Sequence, residues 1–223
     1  IVSKGPFRPT NFDVGHADPF DVVDLTRARA AGIREAHARW RVGLGGERAL
    51  LYHSPLIGLR QGPLVVGEHE QTMWEQIAPV HHEDCIAYAG AKYDCHSQDF
   101  ENQQDIAVLW VWMLGNRERH IGGEIPYRCL LPKGVDGLLV ACRSASSTNE
   151  ANYQFRVIRN MQRIGEAAGI AAALSARMNI APRDVPVSQV QEALVQSGAL
   201  GPEIHPGPVV PERPLNELEA MLG

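Results

Sequence analysis

The chain has 223 residues, 44% of them hydrophobic, with a formal net charge of −5 and a sequence pI near 6.0. That length buries one good core, or one and a half domains at roughly 150 residues per domain. The acidic balance gives no electrostatic case for nucleic acid or an anionic membrane surface, so neither is an expected partner.

Residues 1–20 are rich in Pro, Gly and Asp and are expected to be irregular. They lack the basic start and apolar stretch of a signal peptide. The chain begins at Ile1 without Met, and is expected to be a processed chain, a fragment or one half of a divided protein. From Asp24 to Trp40 the spacing predicts a helix: Asp24 or Thr26 can cap it, and Leu25, Ala28, Ala31, Ile33, Ala36 and Trp40 form a rough apolar stripe. Gly43 to Gly46 ends that pattern. It is not a phosphate loop, because no strand precedes it and Glu47-Arg48 stands where such a loop carries Lys-Ser/Thr.

Leu50 to Leu59 is short and apolar, with Pro55 interrupting it, and Leu64 to Val66 follows a break at Gly62-Pro63. Thr72 to Ile77 reads as a helix, Asp84 to Ala89 as a helix or a strand, and Tyr93 to Gln104 as a polar loop. Ile106 to Leu114 is the longest apolar run and reads as a buried strand or short helix. It is far shorter than the ~20 residues a membrane-spanning helix needs. Ile125 to Pro132 is extended between two prolines, and Lys133 to Gly137 is a turn. Leu138 to Ala141 is a continuous apolar run and predicts a short strand covered on both faces.

Cys142 to Ser147 then makes a polar turn, and Phe155 to Asn179 predicts one long helix. Gly165 and Gly169 share a face of that helix, and Gly costs about 1 kcal/mol against Ala there. Their presence implies close approach to a strand or a ligand, strand–helix packing first. Pro186 to Ser197 is a last helix, with Ser188 as N-cap and Gly198 closing it. The tail from Gly201 is Pro-rich and is expected to wrap a partner or stay mobile. A strand, a polar turn and a helix in series is how open α/β proteins hold an extended phosphorylated cofactor. Yet no G-x-G-x-x-G follows a strand, so half of a dinucleotide site is missing.

Four cysteines, Cys85, Cys95, Cys129 and Cys142, occur without a C-x-x-C pair. That suits free thiols in a reducing compartment, and a cytoplasmic location is expected. His81, His82, Cys85, Cys95 and His96 form the one metal-like cluster. Zinc accepts such ligands, but the spacing matches no familiar zinc pattern, so no metal is expected. A metal-binding domain built on His81, His82, Cys85 and His96 is a third reading.

The stretch Glu124 to Ala141, then Arg143, Ser146, Glu150-Ala151, Arg156-Val157 and Gly165 to Ala173, resembles the C-terminal part of FAD-dependent oxidoreductases of the FAD_oxidored type. Pro182 to Val185 and Gln189 to Leu200 continue the likeness. Leu25 to Ala28, Ile57 to Arg60 and Val66 to Glu68 fit the family's middle region. Three departures stand out. Cys142-Arg143 replaces the usual Gly-Arg, the charged Arg-Glu-Ser-Arg-Arg segment reads Arg60-Gln61-Gly62-Pro63-Leu64, and the N-terminal Gly-rich phosphate loop is absent.

The resemblance implies an α/β fold. It would hold part of a substrate-facing α+β region (1–120), the C-terminal part of a Rossmann-like FAD-binding domain (121–200) and a Pro-rich tail (201–223), with another chain completing it. That second polypeptide would carry the Gly-rich FAD loop, and the reaction would be hydride transfer between a small organic substrate and FAD. The non-enzymatic alternative is an assembly subunit derived from a flavoprotein.

The resemblance also implies site residues, each beside a plainer reading. Cys142, Arg143, Ser144 and Ser146 would contact the ribityl chain or pyrophosphate; from spacing alone they are a Ser-rich loop. Phe155, Arg156, Val157 and Ile158 would open a helix whose positive end faces the flavin N1–C2=O edge; otherwise they cap it. On the substrate side, Arg128 would orient a carboxylate or hydroxyl, and His120 or Tyr127 would exchange a proton. Tyr127 and Arg128 could instead tie their segment to its neighbours. His96, in Tyr93-Asp94-Cys95-His96, sits where the family has a similar Asp-x-His segment and would line the substrate pocket.

Overall fold

The computed structural model describes residues 18, 20–42, 61–78, 80–94 and 104–201. The expectations for the first residues, for Gly43 to Arg60, for Cys95 and His96 and for the tail beyond Gly201 lie outside these. The chain falls into two compact units, residues 1–62 with 96–100, and residues 63–95 with 101–223.

In the first unit, helix α1 spans Val22–Val42. It starts earlier than the apolar stripe does, because Asp21 begins it: its Oδ1 accepts the N–H groups of Val23 at 2.8 Å and Asp24 at 3.4 Å. Asp24 is therefore inside the first turn, where a carboxylate meets the positive helix end and also pairs with Arg27 at 2.6 Å. Thr26 is interior too, its hydroxyl donating to the Val22 carbonyl.

The second unit is built on an antiparallel pair, β1 (Cys85–Lys92) and β2 (His120–Pro126). Ala87 faces Ile125, Ala89 faces Gly123 and Ala91 faces Ile121, with an irregularity between Cys85 and Ala87. Two strands alone are marginal in water. Here α4 (Asn149–Phe155), α5 (Ile158–Met178) and α6 (Val187–Ser197) lie against β1, and α2 (Met73–Ile77) lies against β2. The fit over β2 is close: a Cβ on Gly123 would come within 3.0 Å of the Glu75 carbonyl oxygen.

Helix side chains also finish the sheet's hydrogen bonding. Arg163 donates to the Tyr88 carbonyl at 2.9 Å and Arg159 to that of Gly90. Gln154 bridges the Ala91 and Ile121 carbonyls, and Gln191 reaches Cys85 at 2.9 Å. Carbonyls of both strands are thus engaged by helix side chains. Ile86, Ile125, Tyr127, Leu130, Phe155, Ile164, Val190 and Leu194 anchor the main core. A second cluster joins Met73, Tyr93, Ala107, Val111, Ile121 and Tyr153.

Several expected elements differ. The 106–114 run forms a short helix α3 (Asp105–Ala107) continuing as π-helical turns Val108–Met113, with only Ala107 and Val111 buried. The segment expected to be extended is the end of β2 followed by a 3₁₀ turn, Tyr127–Leu130. Residues 138–141 form no strand, and Leu138 is half exposed. Gly134 and Gly137, at φ 73 and 71, fold the chain back so that the Val140 N–H donates to the Leu130 carbonyl at 2.8 Å. Leu139, Val140 and Ala141 then pack on the core without a ladder.

The single long helix is two. Thr148 caps α4, which ends at Arg156, and Val157 is extended (φ −63, ψ 137) before α5 begins. Gly165 and Gly169 pack against nothing: both are exposed, and a Cβ on either would meet no atom within 4 Å. The packed face of α5 is Ile164, Ala167, Ala168, Ala171 and Leu174. Helix α6 takes Pro186, not Ser188, as its N-cap, and Gly198 closes it at φ 78. The fold is a mixture of helices and a small antiparallel sheet, and no described helix is long and apolar enough to cross a membrane.

Candidate functional site

The turn 142–148 is fixed from below. The Ser146 hydroxyl accepts the Gly67 N–H at 3.0 Å, and a Cβ on Gly67 would collide with Ser146 at 2.6 Å. Ser147 and the Arg143 carbonyl both accept from Asn152 Nδ2, at 3.3 and 2.9 Å, which ties the turn to α4. Ser146 and Ser147 are accordingly buried, and their hydroxyls face the protein. The outer half differs: Cys142 and Arg143 are exposed and Ser144 is half-buried. Among the described residues the Arg143 guanidinium has no ion-pair partner. The Cys142 sulfur receives the Ser144 N–H at 3.5 Å.

The second expected cofactor group divides in the same way. Phe155 is fully buried in the core. Arg156 is nearly buried beside Asp94, donating to its carbonyl at 2.9 Å, with its guanidinium 5.2 Å from the Tyr153 ring centre. Val157 is half-buried and Ile158 is 78% exposed at the start of α5, whose first turn has no side-chain cap.

Of the substrate-side residues, Tyr127 and Arg128 are held by structural partners. Tyr127 donates its hydroxyl to the Pro182 carbonyl at 2.8 Å, and burial pushes its pKa up to about 12. Arg128 grips Asp84 with Nε and Nη2 at 3.0 and 3.1 Å, and its backbone N–H adds a third bond at 3.1 Å. Burial alone pushes the Asp84 carboxyl up, but these hydrogen bonds together outweigh it and hold it below the usual carboxylate range. His120 is exposed at the end of β2, opposite Lys92. Tyr127 and Arg128 line an open cleft of about 470 Å³ together with His81, His82, Asp84 and Arg183. Arg183 is held there by Glu68 at 3.0 Å and Asp136 at 2.6 Å.

The expected His/Cys cluster is rearranged. Cys85 donates to the Ala87 carbonyl at 3.4 Å inside the core, away from the histidine rings, and burial pushes its thiol up to about 12. His81 leans on Glu124 at 3.1 Å, whose other oxygen accepts the His82 N–H at 2.7 Å. The His82 ring turns the other way, toward Glu75 and His69. Burial lowers its pKa, against the pull of the Glu75 carboxylate. Glu75 Oε1 lies 3.0 Å from His69 Nε2 and 3.6 Å from His82 Nε2, and the two rings meet edge to face at 5.0 Å. Sequence reading missed His69 and Glu75, since the spacing His69, Glu75, His82 is no known motif. The one local signal is Thr72-x-x-Glu75, the capping box that positions the Glu75 carboxylate.

No curated protein and no solved structure matches the chain. A family model described as FAD dependent oxidoreductase matches residues 7–194. That span takes in well over half of the chain, both units included, and the chain therefore belongs to the FAD dependent oxidoreductase family, whose cofactor is FAD.

Proposed function

We propose that this chain supplies the substrate-facing region and the C-terminal part of the FAD-binding domain of an oxidoreductase that moves hydride between a small organic substrate and FAD. A second polypeptide carries the Gly-rich loop for the ADP half. The observation that carries this reading is the family match over residues 7–194. FAD, when bound, supplies a ring that accepts or returns the hydride.

The donor set at the outer half of the 142–148 turn fits a phosphate or ribityl group. Arg143 offers an exposed forked cation free of any partner among the described residues, and Ser144 stands beside it. The uncapped first turn of α5 leaves backbone N–H groups for an electron-rich ring edge. Ser146, Ser147 and Asn152 hold this turn in place, a positioning role. On the substrate side, His120 is the exposed candidate for proton exchange, and His96 is a further candidate on the family likeness alone.

A second reading, an assembly subunit that has lost flavin, draws support from two features. Ser146 and Phe155 are sealed inside the protein. The Cys142 sulfur occupies the Ser144 N–H.

The visible spectrum and a denaturing gel of the native preparation separate the two. Oxidised-flavin bands together with a co-purifying chain are expected. Arg143→Ala is expected to weaken flavin retention about tenfold or more, given about 1.5–3 kcal/mol for hydrogen bonds to a charged group. Unchanged flavin content in that variant refutes the Arg143 assignment, and a colourless preparation favours the assembly subunit.

A further inference from the structure

We propose that His69, Glu75 and His82 form a binding site for one divalent first-row transition cation. The inference stands apart from the flavin reading, because none of the three residues belongs to the 142–148 turn or to α5.

The three side chains offer two imidazole nitrogens and a carboxylate oxygen, all within 4.8 Å of one another. Ligands held tetrahedrally at about 2.1 Å from a metal are about 3.4 Å apart, close to the 3.0 and 3.6 Å found here from Glu75 Oε1 to the two rings. The second observation is His82 itself. Its side chain is 7% exposed, and its buried Nε2 has no hydrogen-bond partner, although it points at Glu75. A buried ring nitrogen without a partner is costly, and a metal bond removes that cost.

The supporting groups suit this role. Glu75 Oε2 accepts the Thr72 N–H at 2.6 Å and the Thr72 hydroxyl at 3.0 Å, so the capping box orients the carboxylate and leaves Oε1 for the rings. His82 is anchored through its backbone N–H by Glu124. His69 and Glu75 remain 22% and 14% exposed, which gives an ion a way in. Two neutral imidazoles and one carboxylate favour Zn²⁺, Fe²⁺ or Mn²⁺ over Ca²⁺, which prefers all-oxygen shells. Three protein ligands leave at least one position for water or a small oxygen ligand. The ion would tie the segment before α2, α2 itself and the loop entering β1 into one piece.

Zn²⁺ is the probe. The untagged full chain is equilibrated with ZnCl₂, desalted and analysed for metal, and its zinc K-edge absorption is recorded. The expected result is one zinc per chain with nitrogen and oxygen neighbours at about 2.0–2.1 Å and an imidazole signature. His69→Gln and His82→Asn should each weaken zinc binding at least tenfold. Glu75→Gln, which keeps an acceptor for the cap, should do the same without loss of helical signal, so that loss of zinc is not mistaken for unfolding. Zinc retained equally by the three variants overturns the proposal, as does a sulfur neighbour at about 2.3 Å or no zinc at one equivalent.

Discussion

Arg128, a candidate for orienting substrate, has a structural partner in this fold. Its fork and its backbone N–H all close on Asp84, whose side chain is only 14% exposed. Removing the guanidinium leaves that carboxylate with fewer partners than its burial requires. Arg128→Ala is therefore expected to lower stability by about 1–2 kcal/mol, the value being kept down because Arg128 itself is half exposed. Urea denaturation of the variant reads this directly, and Asp84→Asn in the same chain should return part of the loss. A change within about 0.5 kcal/mol would place Arg128 among ordinary surface residues and reopen the substrate role. The sequence alone could not decide this, since Asp84 lies far along the chain and only the fold brings the two together.

At the scale of elements, local chemistry was readable where it decides the outcome. Thr72-x-x-Glu75 starts α2 and Gly198 ends α6, and both stand in the sequence as cap signals. The apolar run 138–141 was not readable in this way. Its residues suit a strand, but the two left-handed glycines before it set its course, and its Val140 N–H is taken by the Leu130 carbonyl. The glycines of α5 misled for a related reason: their spacing shows that they share a face, not which face. They lie on the outer one, where a methyl group meets nothing. Gly165→Ala and Gly169→Ala are thus expected to stabilise the protein, each by about 0.5–1 kcal/mol, through helix propensity and a less flexible unfolded chain. A higher midpoint in urea with an unchanged slope would bear this out. Destabilisation by either would mean that the outer face of α5 is covered in the assembled protein, which is where a partner chain would show itself.

For the molecule as a whole, the main core of the second unit contains three weak acids that must stay neutral. Cys85, Cys129 and Tyr127 are each 1% exposed, and burial raises all three: Cys85 and Tyr127 to about 12, and the Cys129 thiol upward as well. The sign follows from the direction of the shifts. A raised pKa means that the folded state keeps protons the unfolded chain releases. The stabilisation from keeping these groups neutral is complete below the ordinary thiol range. It is lost as pH rises from about 8.5, where unfolded thiols ionise, toward about 12. Across that window each thiol contributes a slope of about 1.4 kcal/mol per pH unit, so two thiols together rival the whole stability of a small domain within a few units. Urea midpoints measured from pH 7 to 10.5 should hold steady and then fall steeply. Cys85→Ala with Cys129→Ala should flatten the fall while lowering stability at pH 7 only by the packing lost. A native chain whose midpoint stays level to pH 10.5 would mean that water reaches these thiols in the folded state, and with it the packed core formed by β1, the 127–130 turn and α5 would have to be redrawn.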